Sequence, residues 1–173
     1  MGIEDIRDAL IIRERSAYLL TDPTGNVAGG NVQGFGLYHR DARHLSKYEF
    51  DLNGIQPVVL LSTAELGYAM EQVLTNPTLK TRDGRELRRG SVEIARQRVI
   101  SDVIEEQVRI TNFNPFPIQL ELNYGFEADF ADIFDVRGYE RVRRGVLHPP
   151  AIDKLPCVPY VSRHTDQKIS VER

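Results

Sequence analysis

The amino-acid sequence predicts an all-β protein, an antiparallel β-sandwich. Two observations carry this prediction: apolar and polar side chains alternate along short runs, and turn-forming residues separate those runs. Helical spacing is confined to residues 3–14 and 129–138. The chain has 173 residues, which suits one domain, so we expect a single β-sandwich over residues 1–173.

The clearest strand is residues 47–52, in which aromatic or apolar side chains alternate with lysine, glutamate and aspartate. Asn53-Gly54 follows, and this dipeptide favours a type I′ hairpin turn because both central positions of that turn need a positive φ. We therefore expect a hairpin whose return strand covers residues 58–62.

Three more strands are predicted at residues 91–100, 103–112 and 118–126, where period-2 patterns indicate an antiparallel meander with one buried face. The basic stretch 80–98 overlaps the first of them, and Asp83-Gly84 marks a hairpin tip. This stretch has no aromatic ring on which a base could stack, so we interpret it as a solvated hairpin. Its basic residues are Lys80, Arg82, Arg85, Arg88, Arg89, Arg96 and Arg98.

Composition excludes several classes of partner and site. The net charge of −3 argues against nucleic acid and anionic membranes as partners. The apolar run at residues 9–12 is too short for a signal peptide or a membrane span. Cys157 is the only cysteine, so an intrachain disulfide is impossible and we expect a cytoplasmic protein. The glycine-rich stretch 25–36 lacks the spacing of nucleotide-binding loops, and we expect no cofactor.

His39, Asp41 and His44 are plausible ligands for a divalent metal. If residues 35–41 form a strand, however, His44 lies an odd number of positions from the other two and leaves their face. We therefore expect a polar strand end here and no metal site.

The neighbouring residues Arg40, Asp41 and Arg43 lie where a strand gives way to a turn. A carboxylate between guanidiniums can form bidentate pairs that fix a loop, and the same groups can bind sugar hydroxyls. For Arg43 the structural role is the favoured interpretation.

A cluster of carboxylates crowds the stretch FEADFADIFDVRG, which spans residues 126–138. Three roles are open: pairing with arginines such as Arg137 that follow it, an interface or sugar site, and catalysis. In a helical turn Asp129, Asp132 and Asp135 would face roughly one way. Pairing within the chain is the favoured interpretation.

These motifs together resemble one family. The stretches YLLTDPTGNV, GFGLYHRDARHLSKYEFDLNGIQPVVL and VRITNFNPFPIQLELNYGFEADFADIFDVRG, between Tyr18 and Gly138, are similar to the N-terminal domain of bacterial and archaeal glycogen-debranching-enzyme-like proteins of the amylo-α-1,6-glucosidase type. The resemblance implies a supersandwich-like β-domain that precedes a helical (α/α)₆ barrel. It also implies that the catalytic acid and base of the glycoside hydrolase belong to that barrel, for which this chain has no room.

The expected function is therefore that of a non-catalytic domain that packs on a catalytic barrel and contacts α-glucan. The candidate substrate or interface residues are Arg40, Asp41, Arg43, Asp129, Asp132 and Arg137. The alternative is a small stand-alone hydrolase, metal-assisted or acid–base, that uses Asp41, Asp129 and Asp132. The run KISVE at residues 168–172 reads as a strand at the chain end, so we expect an incomplete sandwich whose open strand edges could support a homo-oligomer.

Overall fold

The computed structural model describes residues 8–31, 34–81, 84–139 and 146. The predicted strand at residues 168–172 lies outside these residues. Twelve strands and one short helix follow in chain order: β1 (Leu10–Glu14), β2 (Ala17–Thr21), β3 (Gly36–His39), β4 (Ala42–Leu45), β5 (Lys47–Leu52), β6 (Val58–Thr63), β7 (Ala69–Thr75), β8 (Leu79–Lys80), β9 (Glu86–Leu87), β10 (Val92–Ile100), β11 (Ile104–Asn112), β12 (Leu122–Glu127) and α1 (Ile133–Val136). The all-β prediction is confirmed.

The strands pair antiparallel in four groups. One sheet has the order β1-β2-β3-β4 and another the order β11-β10-β7-β6, while β12 pairs with β5 and β8 with β9. Two clusters of buried side chains fill the space between them. In the first, Ile12 and Leu19 of the β1–β4 sheet pack with Met70 and Ile100 of the other sheet. In the second, Phe50 of β5 packs with neighbours from β7 and β10. No helix among the described residues is long and apolar enough to cross a membrane.

The turn predicted after β5 is present, but the predicted hairpin is wrong. Asn53 and Gly54 have φ values of 51° and 75°, as a type I′ turn requires. The next strand, β6, nevertheless pairs with β7 in the other sheet, and the partner of β5 is β12. The meander prediction is right for β10 and β11, which pair antiparallel. It is wrong for the third strand, β12, which begins only at Leu122 and pairs with β5 instead of β11.

The predicted helix at residues 3–14 is also wrong where it can be compared. Residues 10–14 form β1, which pairs along its whole length with β2. Ile12 is fully buried in the first core cluster while its neighbours Ile11 and Arg13 are exposed, which is the alternation of a strand.

The interpretation of residues 80–98 as a solvated hairpin fails at Arg96 and Arg98. Both side chains are fully buried. They continue the inward-facing period of β10, on which Val92 and Ile94 are also buried. The guanidinium carbon of Arg98 lies 4.4 Å from the ring centre of Tyr48, and that of Arg96 lies 4.6 Å from the ring centre of Phe50. Two cations are thus stacked on aromatic rings inside the sandwich.

Glu106 of β11 compensates these two cations. Its Oε1 accepts from Nε of Arg96 at 2.7 Å and from Nη2 of Arg98 at 2.9 Å, and its Oε2 accepts from the Tyr48 hydroxyl. The Glu106 side chain is 11% exposed. Burial by itself raises the pKa of Glu106, but the guanidiniums of Arg98 and Arg96 and the Tyr48 hydroxyl outweigh it, and the net pKa lies below its usual value. Burial, together with the Glu106 charge, raises the pKa of Tyr48 to about 12.

The same guanidiniums hold the loop that follows β2. Nη1 of Arg96 donates to the Thr24 carbonyl at 3.0 Å, and Nη1 of Arg98 donates to the Gly25 carbonyl at 2.7 Å. Gly25 has a φ of 78°, and a Cβ at this position would lie 2.6 Å from Oε1 of the buried Gln72. Only glycine satisfies both the backbone conformation and the close approach.

We expect Glu106→Gln to lower the free energy of unfolding by about 3–5 kcal/mol near neutral pH, because it leaves two buried guanidiniums without a counter-charge. The folded-state pKa of Glu106 is depressed, so its contribution is present above the unfolded pKa and disappears as the pH falls through the folded pKa. Urea unfolding between about pH 3 and 7 should therefore show a loss of stability at acidic pH that is smaller in the variant. Glu105→Gln, at the exposed neighbouring position, is the matched control and should behave as the parent. Equal stability of the two variants would contradict this account.

Candidate functional site

The structure brings the predicted site residues together at one corner. Arg40 and Asp41 form the two-residue turn between β3 and β4, with φ values of 49° and 64°. Asp129 and Asp132 lie in the segment between β12 and α1, and Arg137 follows α1. We call this region the β3–β4 corner; it comprises residues 39–45 and 129–139.

Backbone hydrogen bonds fasten the two segments of the corner to each other. The Arg43 amide donates to the Ala131 carbonyl at 2.8 Å, and the Ile133 amide donates to the Asp41 carbonyl at 2.9 Å. Ala42 and Asp132 form the isolated β-bridge between these two contacts. The segment after β12 therefore continues along the outer edge of β4 as a short strand-like partner.

An ion pair between Arg43 and Asp129 fixes the same two segments through their side chains. Nε of Arg43 lies 3.2 Å from each carboxylate oxygen of Asp129, and Nη2 also binds Oδ2. The two side chains are 12% and 33% exposed. Hydrogen bonding to Asp129 raises the pKa of the Arg43 guanidinium above its usual value. Asp129 thus has a partner within the chain, and that partner is Arg43, 86 positions earlier, rather than an arginine that follows it.

Gly36 provides the space for the Arg43 side chain. A Cβ on Gly36 would lie 2.7 Å from Cδ of Arg43 and 2.5 Å from the Leu45 carbonyl oxygen. Any larger residue at position 36 would push the guanidinium away from Asp129. The arginine is therefore held on one side by the β3 backbone and on the other by the carboxylate.

The remaining carboxylates of the corner have separate surroundings. Asp132 is the N-cap of α1, and its Oδ1 accepts from the Phe134 amide at 2.9 Å. Only Asp135 lies within the helix, so Asp129, Asp132 and Asp135 do not share a helical face. Glu127, the first acid of the carboxylate cluster, lies just outside the corner; it ends β12 and pairs with Lys47 at 3.2 Å.

Tyr18 and Tyr38 form the inner wall of the corner. Their rings stack with centres 4.8 Å apart and an interplanar angle of 9°. Burial raises the pKa of both phenols; Asp41 raises the pKa of Tyr18 further, while Arg137 lowers it and Arg43 lowers that of Tyr38. The charged side chains of the corner thus surround a tyrosine pair that stays protonated at neutral pH.

Exposed aromatic side chains are the feature of the corner that sequence reasoning missed. Phe130, Phe134 and Tyr139 are 58%, 55% and 65% exposed. Phe130 meets the ring of His44 edge-on at 5.6 Å, and Phe134 meets Tyr139 edge-on at 6.1 Å. The spacing of Phe130 and Phe134, among acids and four positions apart, was the available signal.

The metal interpretation of His39, Asp41 and His44 gains no support from the geometry. The two imidazole centres are 6.0 Å apart and tilted by 49°. Within residues 8–31, 34–81, 84–139 and 146, no three side chains of His, Cys, Asp or Glu converge closely enough to hold a metal ion.

We expect Arg43→Lys and Asp129→Asn each to lower the free energy of unfolding by about 2 kcal/mol, because each removes a charge-assisted bidentate interaction. The double variant should lose less than the sum of the single losses. Thermal unfolding of the four proteins measures this coupling. Strictly additive losses would show that the pair contributes nothing to the corner.

Asp132→Ala should cost about 1 kcal/mol, since it removes the N-cap of α1. Asp132→Asn retains a capping oxygen and should cost only a few tenths of a kcal/mol. Chemical unfolding of both variants tests the difference. If the two variants are equally unstable, the charge of Asp132 matters and the cap does not.

One comparison with known proteins bears on this chain. A family model described as the N-terminal domain of some glycogen debranching enzymes matches residues 12–168, which include most of β1, all of β2 to β12 and the whole β3–β4 corner. No curated protein sequence is significantly similar to the chain. The match extends over most of the sequence, and the chain therefore belongs to the family of N-terminal domains of glycogen debranching enzymes.

Proposed function

We propose that this chain is a non-catalytic β-domain of a glycogen-debranching glycoside hydrolase and that it docks on the catalytic part of that enzyme through the β3–β4 corner. The carrying observation is that Phe130 and Phe134 are largely exposed although the segment bearing them is fixed by an ion pair, a β-bridge and a helix cap. Large aromatic side chains held rigidly in solvent are typical of protein interfaces.

The charged groups at the rim of the corner suit the same role. Arg40 and Asp41 are exposed at the tip of the β3–β4 turn, and Arg137 is exposed after α1. Such a polar rim around aromatic residues is the usual anatomy of an interface. The same hydrogen-bonding groups are suited to hydroxyls of α-glucan, and we include contact with α-glucan in the proposal.

A stand-alone hydrolase is the weaker candidate. Glycoside hydrolysis needs two carboxyl groups on either side of the scissile bond, one of them protonated. Asp129 is bound by the Arg43 guanidinium, and Asp132 caps α1. Both acids therefore already have structural partners, which favours a non-catalytic domain.

The docking proposal is tested by binding of this chain to the separately produced catalytic part of a debranching enzyme of this family. We expect the double variant Phe130→Ala, Phe134→Ala to bind about tenfold more weakly or worse, a loss of at least about 1.4 kcal/mol. Isothermal titration calorimetry gives the affinities, and melting temperatures show that the variant remains folded.

Phe113→Ala is the matched control. Phe113 is 61% exposed, like the two corner phenylalanines, but it follows β11 near Ser91 and lies outside the corner. Its removal should leave the affinity unchanged. Equal losses in the control and the corner variant, or no loss in either, would refute docking through the corner.

A further inference from the structure

A cleft of about 480 Å³ opens where three turns of the two sheets converge. The turns connect β1 with β2, β3 with β4, and β10 with β11. The Arg40 amide donates to the Ser16 carbonyl at 3.2 Å and so fastens the first two turns together. The volume lies within the range of sites that bind small molecules.

The cleft has an apolar floor and polar walls. Leu37, Ile100 and Ile104 belong to its lining, and Ile100 is buried in the first core cluster. His39 and His44 supply two imidazole rings on one wall, with centres 6.0 Å apart. A ligand in this cleft would therefore meet both apolar surface and groups that donate and accept hydrogen bonds.

The charges of the walls nearly balance. Arg15 pairs with Glu14 at 3.5 Å and with Asp102 at 3.6 Å, and all three side chains line the cleft. Arg40 adds one guanidinium. Because acids and bases face the same space, a strongly charged ligand would meet repulsion on one side, whereas a neutral ligand rich in hydroxyl groups would find partners on every side.

We propose that this cleft binds a short α-linked glucose oligosaccharide. Sugar rings have apolar C–H faces that suit the floor and the imidazole rings, and hydroxyls that suit the carboxylates and guanidiniums. This inference rests on the proposed contact with α-glucan. The cleft shares His39, Arg40 and His44 with the β3–β4 corner, but none of the phenylalanines through which docking is proposed. The cleft thus gives that contact a definite place, outside the Arg43–Asp129 pair.

The test is a titration of the whole chain with maltohexaose, monitored by calorimetry and by the amide shifts in NMR spectra. We expect shifts confined to residues of the three turns. His39→Ala, which removes an exposed ring, and Ser101→Phe, which fills the cleft, should each weaken binding about tenfold.

Arg40→Gly is a further test variant with two matched controls. Glycine suits the positive φ at position 40, so Arg40→Gly should remain folded and weaken binding. Arg89→Gly removes an exposed arginine from the turn before β10 and should leave binding unchanged. Phe134→Ala, which tests docking, should leave maltohexaose binding intact. If the parent chain binds maltohexaose but does not dock on the catalytic part, only the docking proposal is refuted. If it docks but does not bind maltohexaose, only the cleft proposal is refuted.

No shifts with maltohexaose, or shifts that lie elsewhere, would overturn the proposal. A titration with inorganic phosphate tests whether the cleft is an anion site instead. Shifts in the three turns with phosphate but not with maltohexaose would show an anion site and also overturn the proposal.

Discussion

The carboxylate of Glu106, shared by the guanidiniums of Arg96 and Arg98, is the interaction on which the rest of the structure depends. Both arginines are fully buried, so their charges would be strongly destabilising without it. Nη1 of each arginine holds the loop after β2, and their flat faces lie on the rings of Tyr48 and Phe50 in β5. One cluster thus joins β5 and the loop after β2 to the long hairpin of β10 and β11.

The β3–β4 corner follows from this arrangement. With β5 in place beside the cluster, β12 pairs along it and brings Glu127 opposite Lys47. The chain then reaches Asp129 at the point where Arg43 projects from β4, and the ion pair forms between residues far apart in sequence. The next segment is fixed in consequence, and its aromatic side chains are presented to solvent. A pair that serves the fold therefore also shapes the surface that we propose as the interface.

Local patterns predicted β5, β6, β10 and β11, because period-2 alternation reports which face of a strand is buried, but they indicated a helix where β1 lies. They failed where a distant partner decided the outcome. The turn at Asn53-Gly54 is present as predicted. The expected hairpin is absent, because β5 pairs with β12 and not with the strand that follows the turn. The interpretation of residues 80–98 as a solvated hairpin fails at Arg96 and Arg98, because they continue the buried period of Val92 and Ile94. For a long cation, the period was the better guide, because Glu106 on the next strand could compensate it. The resemblance grouped Arg43 with Asp129, but spacing alone could not have shown that they pair.

The central claim is that the β3–β4 corner is the face of this domain that meets the catalytic part of a debranching enzyme. Hydrogen–deuterium exchange of the whole chain, with and without the separately produced catalytic part, tests it most directly. The account predicts slower exchange of amides in residues 129–139 and 39–45 on binding, and unchanged exchange in β8 and β9, which pack in the second core cluster and lie outside the corner. Protection of the β8–β9 hairpin with an unprotected corner would contradict it.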